Sequence, residues 1–269
     1  MLWSMVIAGL ILGSFLNVCI YRIPRGLSVV RPGSACPHCG RPIRPWENIP
    51  VLSYVLLGGR CRGCRGRISW IYPFVEILTA VSFAALYWRF GWSAPLGVNA
   101  VFFCLLIVLV MIDLTDRILP DVFTVGGTVA GLLLVPWQAP EFFTLPGSPV
   151  TGEGLGNRYA QAGLGILLGA GFLWLVAWLY RKFRGVEGMG MGDVKMMAMV
   201  GAFLGWQMVW LTILLGSLMG AVVGGSYVWL TGRGRRYELP FGSFLGISAA
   251  VAALFGPQLV LGYLALLQS

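Results

Sequence analysis

The chain has 269 residues, of which 58% are hydrophobic and only 11% are charged, and its formal net charge is +9. Its mean hydropathy is +0.81. Soluble globular domains carry about 25% charged residues, so this composition excludes that class and indicates a protein that crosses a membrane several times.

Eight apolar segments have the character of membrane-spanning helices. They cover roughly residues 2–20, 71–88, 96–112, 122–138, 160–180, 194–206, 208–230 and 241–267. The predicted fold class is therefore an all-α polytopic membrane protein with about eight transmembrane helices. The first segment has no basic region before it and no small-residue cleavage site after it, which favours a retained helix over a removable signal peptide.

The lysines and arginines are distributed unequally over the predicted loops. Seventeen of the nineteen lie on loops that face one side, nine of them between Arg22 and Arg67, whereas only Arg89 and Arg158 face the other side. The positive-inside rule then places the long basic loop in the cytoplasm and both termini on the outer side. Topology accounts for the positive charge, so we expect membrane lipid and no nucleic acid among the partners.

Two Cys-x-x-Cys pairs lie in that long loop and are separated by 21 residues. Such pairs are typical of tetrahedral zinc sites, and a metal would stabilise a segment of about fifty residues that is too small to form a core of its own. The alternatives are two labile disulfides or unrelated surface thiols, and a cytoplasmic location disfavours disulfides. We predict a structural Zn²⁺ in a small cytoplasmic domain between helices 1 and 2, with the ligands Cys36, Cys39, Cys61 and Cys64.

Two aspartates lie at the ends of strongly apolar segments, in a chain with only ten acidic residues. Asp113 follows a long apolar run, and Asp193 ends the tetrad Gly190-Met191-Gly192-Asp193. Ionisable groups at membrane depth usually serve chemistry or transport, and two carboxylates together indicate an aspartyl hydrolase. The glycines allow torsions closed to other residues, so we expect the backbone to be broken or loose just before Asp193.

Two further aspartates, Asp116 and Asp121, compete with Asp113 for the catalytic role. Both fall in the polar turn that follows the apolar run, whereas Asp113 lies at the end of the run itself. We interpret Asp116 as a solvated turn residue beside Arg117. We interpret Asp121 as an N-cap or first-turn residue of the next helix.

Five motifs in this order resemble the bacterial type IV prepilin peptidase family. They are Gly13 to Val18, the two cysteine pairs around Glu47-Asn48-Ile49-Pro50, Tyr72 to Glu76, Asp113 to Asp121, and Gly190 to Asp193. The resemblance covers almost the whole chain, and the Gly-x-Gly-Asp tetrad extends it more distantly to presenilin and signal peptide peptidase. It implies a bifunctional enzyme of the bacterial inner membrane. Such an enzyme cleaves the leader from type IV prepilins or type II secretion pseudopilins at the cytoplasmic face, then methylates the new N-terminal amine using S-adenosylmethionine.

The resemblance also implies roles for individual residues. It places the catalytic pair at Asp113 and Asp193, and it connects Gly59, two residues before the third cysteine, with methyl transfer. No glycine-rich dinucleotide fingerprint is present, so the residues alone do not locate the S-adenosylmethionine site. The polar residues at family-like positions that could hold the amine or the cofactor are Glu47, Asn48 and Glu76. Ordinary loop structure is the alternative for the first two.

Two other classes of membrane protein compete with this interpretation. A transporter could use membrane carboxylates for proton coupling, but the inverted repeat with paired interrupted helices that this predicts is not visible in the sequence. A zinc-bearing scaffold would need no membrane carboxylates. The predicted domains are a transmembrane helix at 1–20, a cytoplasmic zinc-binding domain at 21–70, and a seven-helix membrane domain with the protease site at 71–269.

Overall fold

The helices and loops are described from a computed structural model, which covers residues 1–146, 154–186, 189–231 and 240–268. Within these residues the only extended pairings are two isolated bridges, Ala35 with Pro42 and Arg60 with Arg67. The α-helices are α1 (Leu2–Arg22), α2 (Leu52–Leu56), α3 (Ile71–Phe90), α4 (Ala94–Asp116), α5 (Asp121–Leu134), α6 (Leu155–Arg184), α7 (Met191–Thr231) and α8 (Phe241–Gln268). The predicted all-α class is confirmed. Three arginines that count toward the predicted cytoplasmic charge, Arg233, Arg235 and Arg236, lie outside the described residues.

Six helices of the described chain are long and apolar enough to cross a membrane, namely α1, α3, α4, α6, α7 and α8. The predicted segment 122–138 corresponds to a shorter apolar helix, Asp121–Trp137. The predicted segments 194–206 and 208–230 are joined in α7, which is interrupted at Gly205 by non-helical torsions of φ 75° and ψ 175°. The eight predicted segments therefore correspond to six full-length helices and one shorter helix, because two of the segments are the halves of the kinked helix α7.

The kink in α7 is supported by buried side-chain amides. The Gln138 Nε2 donates a hydrogen bond to the Phe203 carbonyl oxygen at 3.1 Å, and Asn99 Nδ2 donates to Gln138 Oε1 at 2.8 Å. A break in a membrane helix leaves backbone groups without helical partners. Such a break is tolerated where it is buried in protein. A Cβ on Gly205 would lie 3.1 Å from the Phe142 carbonyl oxygen, so this position needs glycine for space as well as for torsion.

The chain forms two compact units, Met1–Trp92 and Ser93–Ser269. In the first unit, α1 packs on α3 through glycines, since a Cβ on Gly13 would lie only 2.7 Å from Glu76 Cα. Small residues permit this close approach of helix backbones in lipid. The contact brings Glu76 directly beside α1. The predicted division at residues 20 and 70 marks where soluble and membrane segments meet, and it stays a prediction.

In the second unit, α7 packs against α5, α6 and α8, and α4 packs against α8. A Cβ on Gly165 of α6 would lie 2.7 Å from the Gly201 carbonyl oxygen of α7, so these two helices meet backbone to backbone. Most side chains of α7 between Met196 and Leu204 are fully buried. The helix that carries Asp193 at its start is therefore the centre of this unit.

Candidate active site and metal centre

Asp113 lies in the last turn of α4, and only 6% of it is exposed. Its Oδ2 accepts two hydrogen bonds from Ser243, one from the backbone N–H at 2.6 Å and one from the hydroxyl at 2.7 Å. Ser243 is the third residue of α8, where backbone N–H groups lack a full set of helical acceptors. The carboxylate of Asp113 is therefore held by the first turn of another helix.

Asp193 lies in the first turn of α7, and 7% of it is exposed. The helix begins at Met191, so Gly192 and Asp193 are helical. Our expectation of a broken or loose backbone immediately before Asp193 is wrong at Gly192. The glycine is required there for space instead, because a Cβ at this position would lie 2.7 Å from Leu119 Cβ. This contact packs the start of α7 against the turn between α4 and α5.

The two aspartates meet at Gly242 of α8. A Cβ on Gly242 would lie 2.9 Å from Asp193 Oδ1 and 3.1 Å from Asp113 Oδ2. The two oxygens are therefore at most the sum of these distances, 6.0 Å, apart. Two buried carboxylates this close can divide the roles of proton donor and proton acceptor between them. The structure thus brings together the two acids that the sequence selects.

The competing aspartates lie outside this pair. Asp116 is the exposed last residue of α4, and its Oδ2 accepts a hydrogen bond from the Thr115 hydroxyl at 2.8 Å. Asp121 is the first residue of α5, and its two carboxylate oxygens lie 2.7 and 2.9 Å from Lys195 Nζ. Asp121 is thus a first-turn residue, as expected, whose charge is also paired with a cation of α7.

The four predicted metal ligands form one cluster in the first unit. The sulfur atoms of Cys36, Cys39, Cys61 and Cys64 all lie within 4.8 Å of one another. Each pair sits in the same kind of turn, since the N–H of Gly40 donates to Cys36 O at 2.9 Å and that of Arg65 donates to Cys61 O at 3.0 Å. Both donors have a positive φ, 68° at Gly40 and 61° at Arg65. Two turns of one design therefore face each other across the cluster.

The two thiols of the second cysteine pair differ in acidity. The backbone N–H groups of Cys64 and Gly63 stabilise the Cys61 thiolate and lower its pKa to about 6. The N–H of Gly66 favours the Cys64 thiolate, but burial and the three neighbouring sulfur atoms outweigh it and raise the pKa of Cys64 to about 11. Four sulfur atoms gathered within 4.8 Å of one another suit a divalent metal such as zinc, and thiolates are the form that binds it. His38 is not part of this group.

A cavity of about 390 Å³ lies in the first unit between α1, α3 and the cysteine-bearing loop. It contains three of the four residues connected with methyl transfer, together with Tyr72 of the third motif and two tyrosines that the sequence did not single out, Tyr21 and Tyr54. The lining includes Asn17, Tyr21, Glu47, Asn48, Tyr54, Tyr72 and Glu76, and the ligands Cys36 and Cys61. The metal cluster therefore forms part of the cavity wall.

The two carboxylates of the cavity are fixed by different partners. Glu47 lies 2.9 Å from Arg41 and 3.6 Å from Arg62. Burial opposes its ionisation, but the Arg44 N–H and the two guanidinium groups outweigh burial and hold the pKa of Glu47 below its ordinary value. Glu76 Oε2 accepts a hydrogen bond from the Val51 N–H at 2.7 Å.

Val51 has an unusual backbone, with a φ of 60°. Positive φ is strained for a β-branched residue, and such strain concentrates at functional sites. The hydrogen bond to Glu76 stabilises this conformation at the edge of the cavity. Periodicity gives no indication of it, because the torsion belongs to one residue in an irregular loop.

Gly59 does not line the cavity, but it supports one wall. Its φ is +64°, and a Cβ there would lie 3.0 Å from the hydroxyl oxygen of Tyr54, whose ring lines the cavity. The sequence-predicted residues are therefore brought to one place, with Gly59 acting behind Tyr54. Ser243 and Gly242 are the residues that the sequence analysis missed, and their only local signal is the turn-forming Pro240-Phe241-Gly242-Ser243 ahead of an apolar run.

Two family models match the chain. The bacterial peptidase A24 N-terminal domain matches residues 7–90, and the type IV leader peptidase family matches residues 100–225. The interval between the two matches contains the boundary between the compact units, at residues 92 and 93.

Several curated proteins are similar over most of their length. Prepilin leader peptidase/N-methyltransferase of Pseudomonas aeruginosa is 37% identical, over 96% of this chain and 92% of that protein. The proteins of the same name from Aeromonas hydrophila and Burkholderia pseudomallei are 36% and 35% identical, over 95% and 93% of this chain and 91% and 84% of their own lengths. No solved structure matches the chain significantly.

Proposed function

The chain belongs to the type IV leader peptidase family, and on that premise we propose that it is a bifunctional enzyme of the bacterial inner membrane. It cleaves the leader from type IV prepilins or pseudopilins, and then methylates the new N-terminal amine using S-adenosylmethionine. The observation that carries the first activity is the pair of buried carboxylates, Asp113 and Asp193, on either side of Gly242.

The proposed orientation places the cleavage site near the cytoplasmic face and both termini outside. Its support is the distribution of lysine and arginine over the loops, which follows the positive-inside rule. A membrane helix with a buried acid at its end needs a polar or chemical reason for that acid. Hydrolysis of a peptide bond by a carboxylate pair supplies that reason.

The cleavage chemistry needs one ionised and one protonated carboxyl group. The ionised group accepts a proton from a water molecule as its oxygen attacks the scissile carbonyl carbon, and the protonated group donates to the carbonyl oxygen as negative charge develops there. Asp113 and Asp193 are within reach of one such carbonyl group, given their separation of at most 6.0 Å.

The test of this assignment is asparagine substitution at each position. Asp113→Asn and Asp193→Asn keep the size of the side chain but remove its acid–base chemistry, so each variant should lose cleavage of a prepilin in detergent or in membranes. Asp116→Asn is the matched control, because Asp116 is an exposed acid on the same turn of α4. Substantial cleavage by either of the first two variants, scored by gel shift, would contradict the assignment.

We place methyl transfer at the cavity of the first unit. Two carboxylates, two asparagines and three tyrosines surround a space of about 390 Å³, which suits a ligand that carries both cationic groups and a planar ring. S-adenosylmethionine, when bound, supplies an activated methyl group. Glu47, Asn48 and Glu76 would hold its polar groups or the pilin amine, and the Tyr54 ring would form an apolar wall. The four cysteines would hold Zn²⁺, which stabilises that wall.

A comparison of two adjacent glycines tests this placement. Gly59→Ala should reduce methylation of a pre-cleaved pilin by about 10-fold to 100-fold, because the new Cβ displaces Tyr54. Gly58→Ala is the matched control, since Gly58 also has a positive φ, of +60°, but has nothing within 4 Å of an added Cβ. Both variants share the backbone strain, so their difference isolates the contact with Tyr54.

The two activities and cofactor binding are scored separately in this experiment. Mass spectrometry measures cleavage and methylation. Equilibrium binding of labelled S-adenosylmethionine measures occupancy of the cavity. Cleavage by Gly59→Ala should equal that of the wild type. Equal methylation by the Gly59 and Gly58 variants would contradict the role of the Tyr54 contact.

A further inference from the structure

The two carboxylates of the pair have unequal surroundings. Asp113 Oδ2 accepts both donors of Ser243, the backbone N–H at 2.6 Å and the hydroxyl at 2.7 Å. The N–H of Ser243 also lies 3.2 Å from the Pro240 carbonyl oxygen, so its shorter contact is the one to Asp113. The carboxylate of Asp193 accepts one hydrogen bond, from the backbone N–H of Gly190, and none of the described side chains donates to it.

This inequality favours a charge on Asp113. Hydrogen bonds donated to a carboxylate stabilise its ionised form, and a group that receives two of them holds its charge more readily than a neighbour that receives one. Helix dipoles do not add to this preference, because Asp193 lies in the first turn of α7, whereas Asp113 lies in the last turn of α4 and faces the first turn of α8.

The other charged groups near the pair do not reverse this preference. Helix α8 packs against Asp113 and has no charged residue among those described. Asp193 is the acid that faces Asp113 from α7, and Asp121 of α5 is paired with Lys195. Arg117 follows Asp113 by one helical turn, and its positive charge also favours an ionised Asp113.

We infer that Ser243 is a positioning residue that makes Asp113 the base and leaves Asp193 as the acid of the proposed cleavage. The water proton passes to Asp113 as the new O–C bond forms, and Asp193 gives its proton to the carbonyl oxygen. When the C–N bond breaks, Asp113 passes its proton to the amine nitrogen, and Asp193 recovers a proton from the hydroxyl group that becomes the new carboxyl carbonyl. Both acids are then restored.

The pH dependence of cleavage tests this inference, which rests on the proposed function. When the Ser243 hydroxyl is removed, the negative charge of Asp113 is less well stabilised, so Asp113 becomes protonated at a higher pH. In Ser243→Ala, the acidic limb of the plot of kcat against pH for a prepilin should therefore move to a pH about one unit higher, with KM little changed. Ser243→Thr keeps the hydroxyl and should restore the wild-type limb.

Two controls separate this role from a structural one. Ser248→Ala removes a buried serine hydroxyl from the same helix, away from the carboxylates, and should leave the limb in place. Should Ser243→Ala fail to fold, Ser243→Cys takes its place, because a thiol keeps the volume but donates weakly. An unmoved limb in the alanine or cysteine variant, or a limb that threonine shifts as far as alanine does, overturns the inference. Absence of cleavage by the wild-type protein instead overturns the proposed function.

Discussion

At the scale of single residues, the centre of the second unit depends on two glycines that touch the acid-bearing elements. Gly192 lies against Leu119, and Gly242 lies between Asp113 and Asp193. In both cases the missing side chain provides the space, and neither glycine has a positive φ. The carboxyl groups can face a common volume because nothing projects from α8 between them.

Alanine at position 242 should therefore disable cleavage. Its Cβ would lie 2.9 Å from Asp193 Oδ1 and 3.1 Å from Asp113 Oδ2, so the carboxyl groups must move. Displacements of this size at a reacting centre cost about 100-fold in rate, and we expect that loss for cleavage of a prepilin by Gly242→Ala. Methylation of a pre-cleaved pilin should be unchanged. Gly262→Ala is the control, because the same helix has open space at that position, and equal cleavage by both variants would contradict the prediction.

A second prediction at this scale concerns Glu47 and pH. Its pKa in the folded protein lies below the ordinary carboxyl value because Arg44, Arg41 and Arg62 stabilise the anion against the effect of burial. An acid with a lowered pKa stabilises the fold above its ordinary pKa, and this contribution is lost as the pH falls through the folded value. The thermal midpoint of the wild type should therefore fall more steeply on acidification than that of Glu47→Gln.

The matched control for that measurement is Glu141→Gln, a carboxyl-to-amide change in the second unit. Thermal unfolding in detergent between pH 7 and pH 3 provides the data for all three proteins. Parallel curves for the wild type and Glu47→Gln would show that the ion pairs of Glu47 add nothing to stability.

The site residues that sequence reasoning found share a property that the missed residues lack. Acids in apolar segments and cysteines at regular spacing are unusual in their own neighbourhood, so Asp113, Asp193 and the four cysteines were predictable. Ser243 is an ordinary residue at a helix start, and its acceptor lies 130 positions earlier. Only the packing of α8 against α4 identifies it, and one sequence contains no measure of that packing.

At the scale of helices, the contact between α6 and α7 is a backbone contact. A Cβ on Gly165 would lie 2.7 Å from Gly201 O and 2.9 Å from Gly201 Cα, and backbone atoms cannot rotate away as a side chain can. This is the packing that small residues permit between helices in lipid. It positions the helix that begins beside Asp193.

Gly165→Ala should accordingly destabilise the protein. Overpacking of this kind costs about 1–3 kcal/mol, which exceeds the gain of up to about 1 kcal/mol that alanine brings to a helix. The thermal midpoint in detergent should fall for Gly165→Ala and stay level or rise for Gly163→Ala, since an added Cβ at Gly163 has nothing within 4 Å. A similar midpoint for both variants would show that α6 and α7 can separate at little cost.

Hydropathy predicted the helices but not how they are joined. The segments 194–206 and 208–230 are both apolar, and an apolar run does not indicate whether a helix turns back or bends. The bend at Gly205 depends on Gln138, whose amide donates to the Phe203 carbonyl from another part of the chain. The shorter helix Asp121–Trp137 was recognisable by composition, while its length depended on where the loops begin.

At the scale of the whole molecule, each proposed activity belongs to one compact unit. The cysteine cluster and the cavity consist of residues before position 93, and the two aspartates with their α8 partners follow it. The two family matches divide at the same place. It should therefore be possible to abolish the activity of either unit without loss of the activity of the other unit.

Metal removal should separate the two activities. A chelator that strips zinc from the purified protein should abolish S-adenosylmethionine binding and methylation of a pre-cleaved pilin, while prepilin cleavage continues, and added Zn²⁺ should restore both. Cys36→Ser and Cys61→Ser should behave as the stripped protein does, with Cys104→Ala as a control outside the cluster. Parallel loss of cleavage and methylation in folded protein would contradict this independence.

The facing cysteine turns have a consequence for the segment between them. A metal held by both pairs would close residues 40–60 into a ring, because Cys39 and Cys61 on either side belong to the same cluster of sulfur atoms. Ring closure restricts the conformations of the enclosed chain before any ligand arrives, so less entropy is lost when one binds. Glu47, Asn48 and Tyr54 all lie on this ring. These residues would become ordered for cofactor binding once, when the metal binds, and not again in each catalytic cycle.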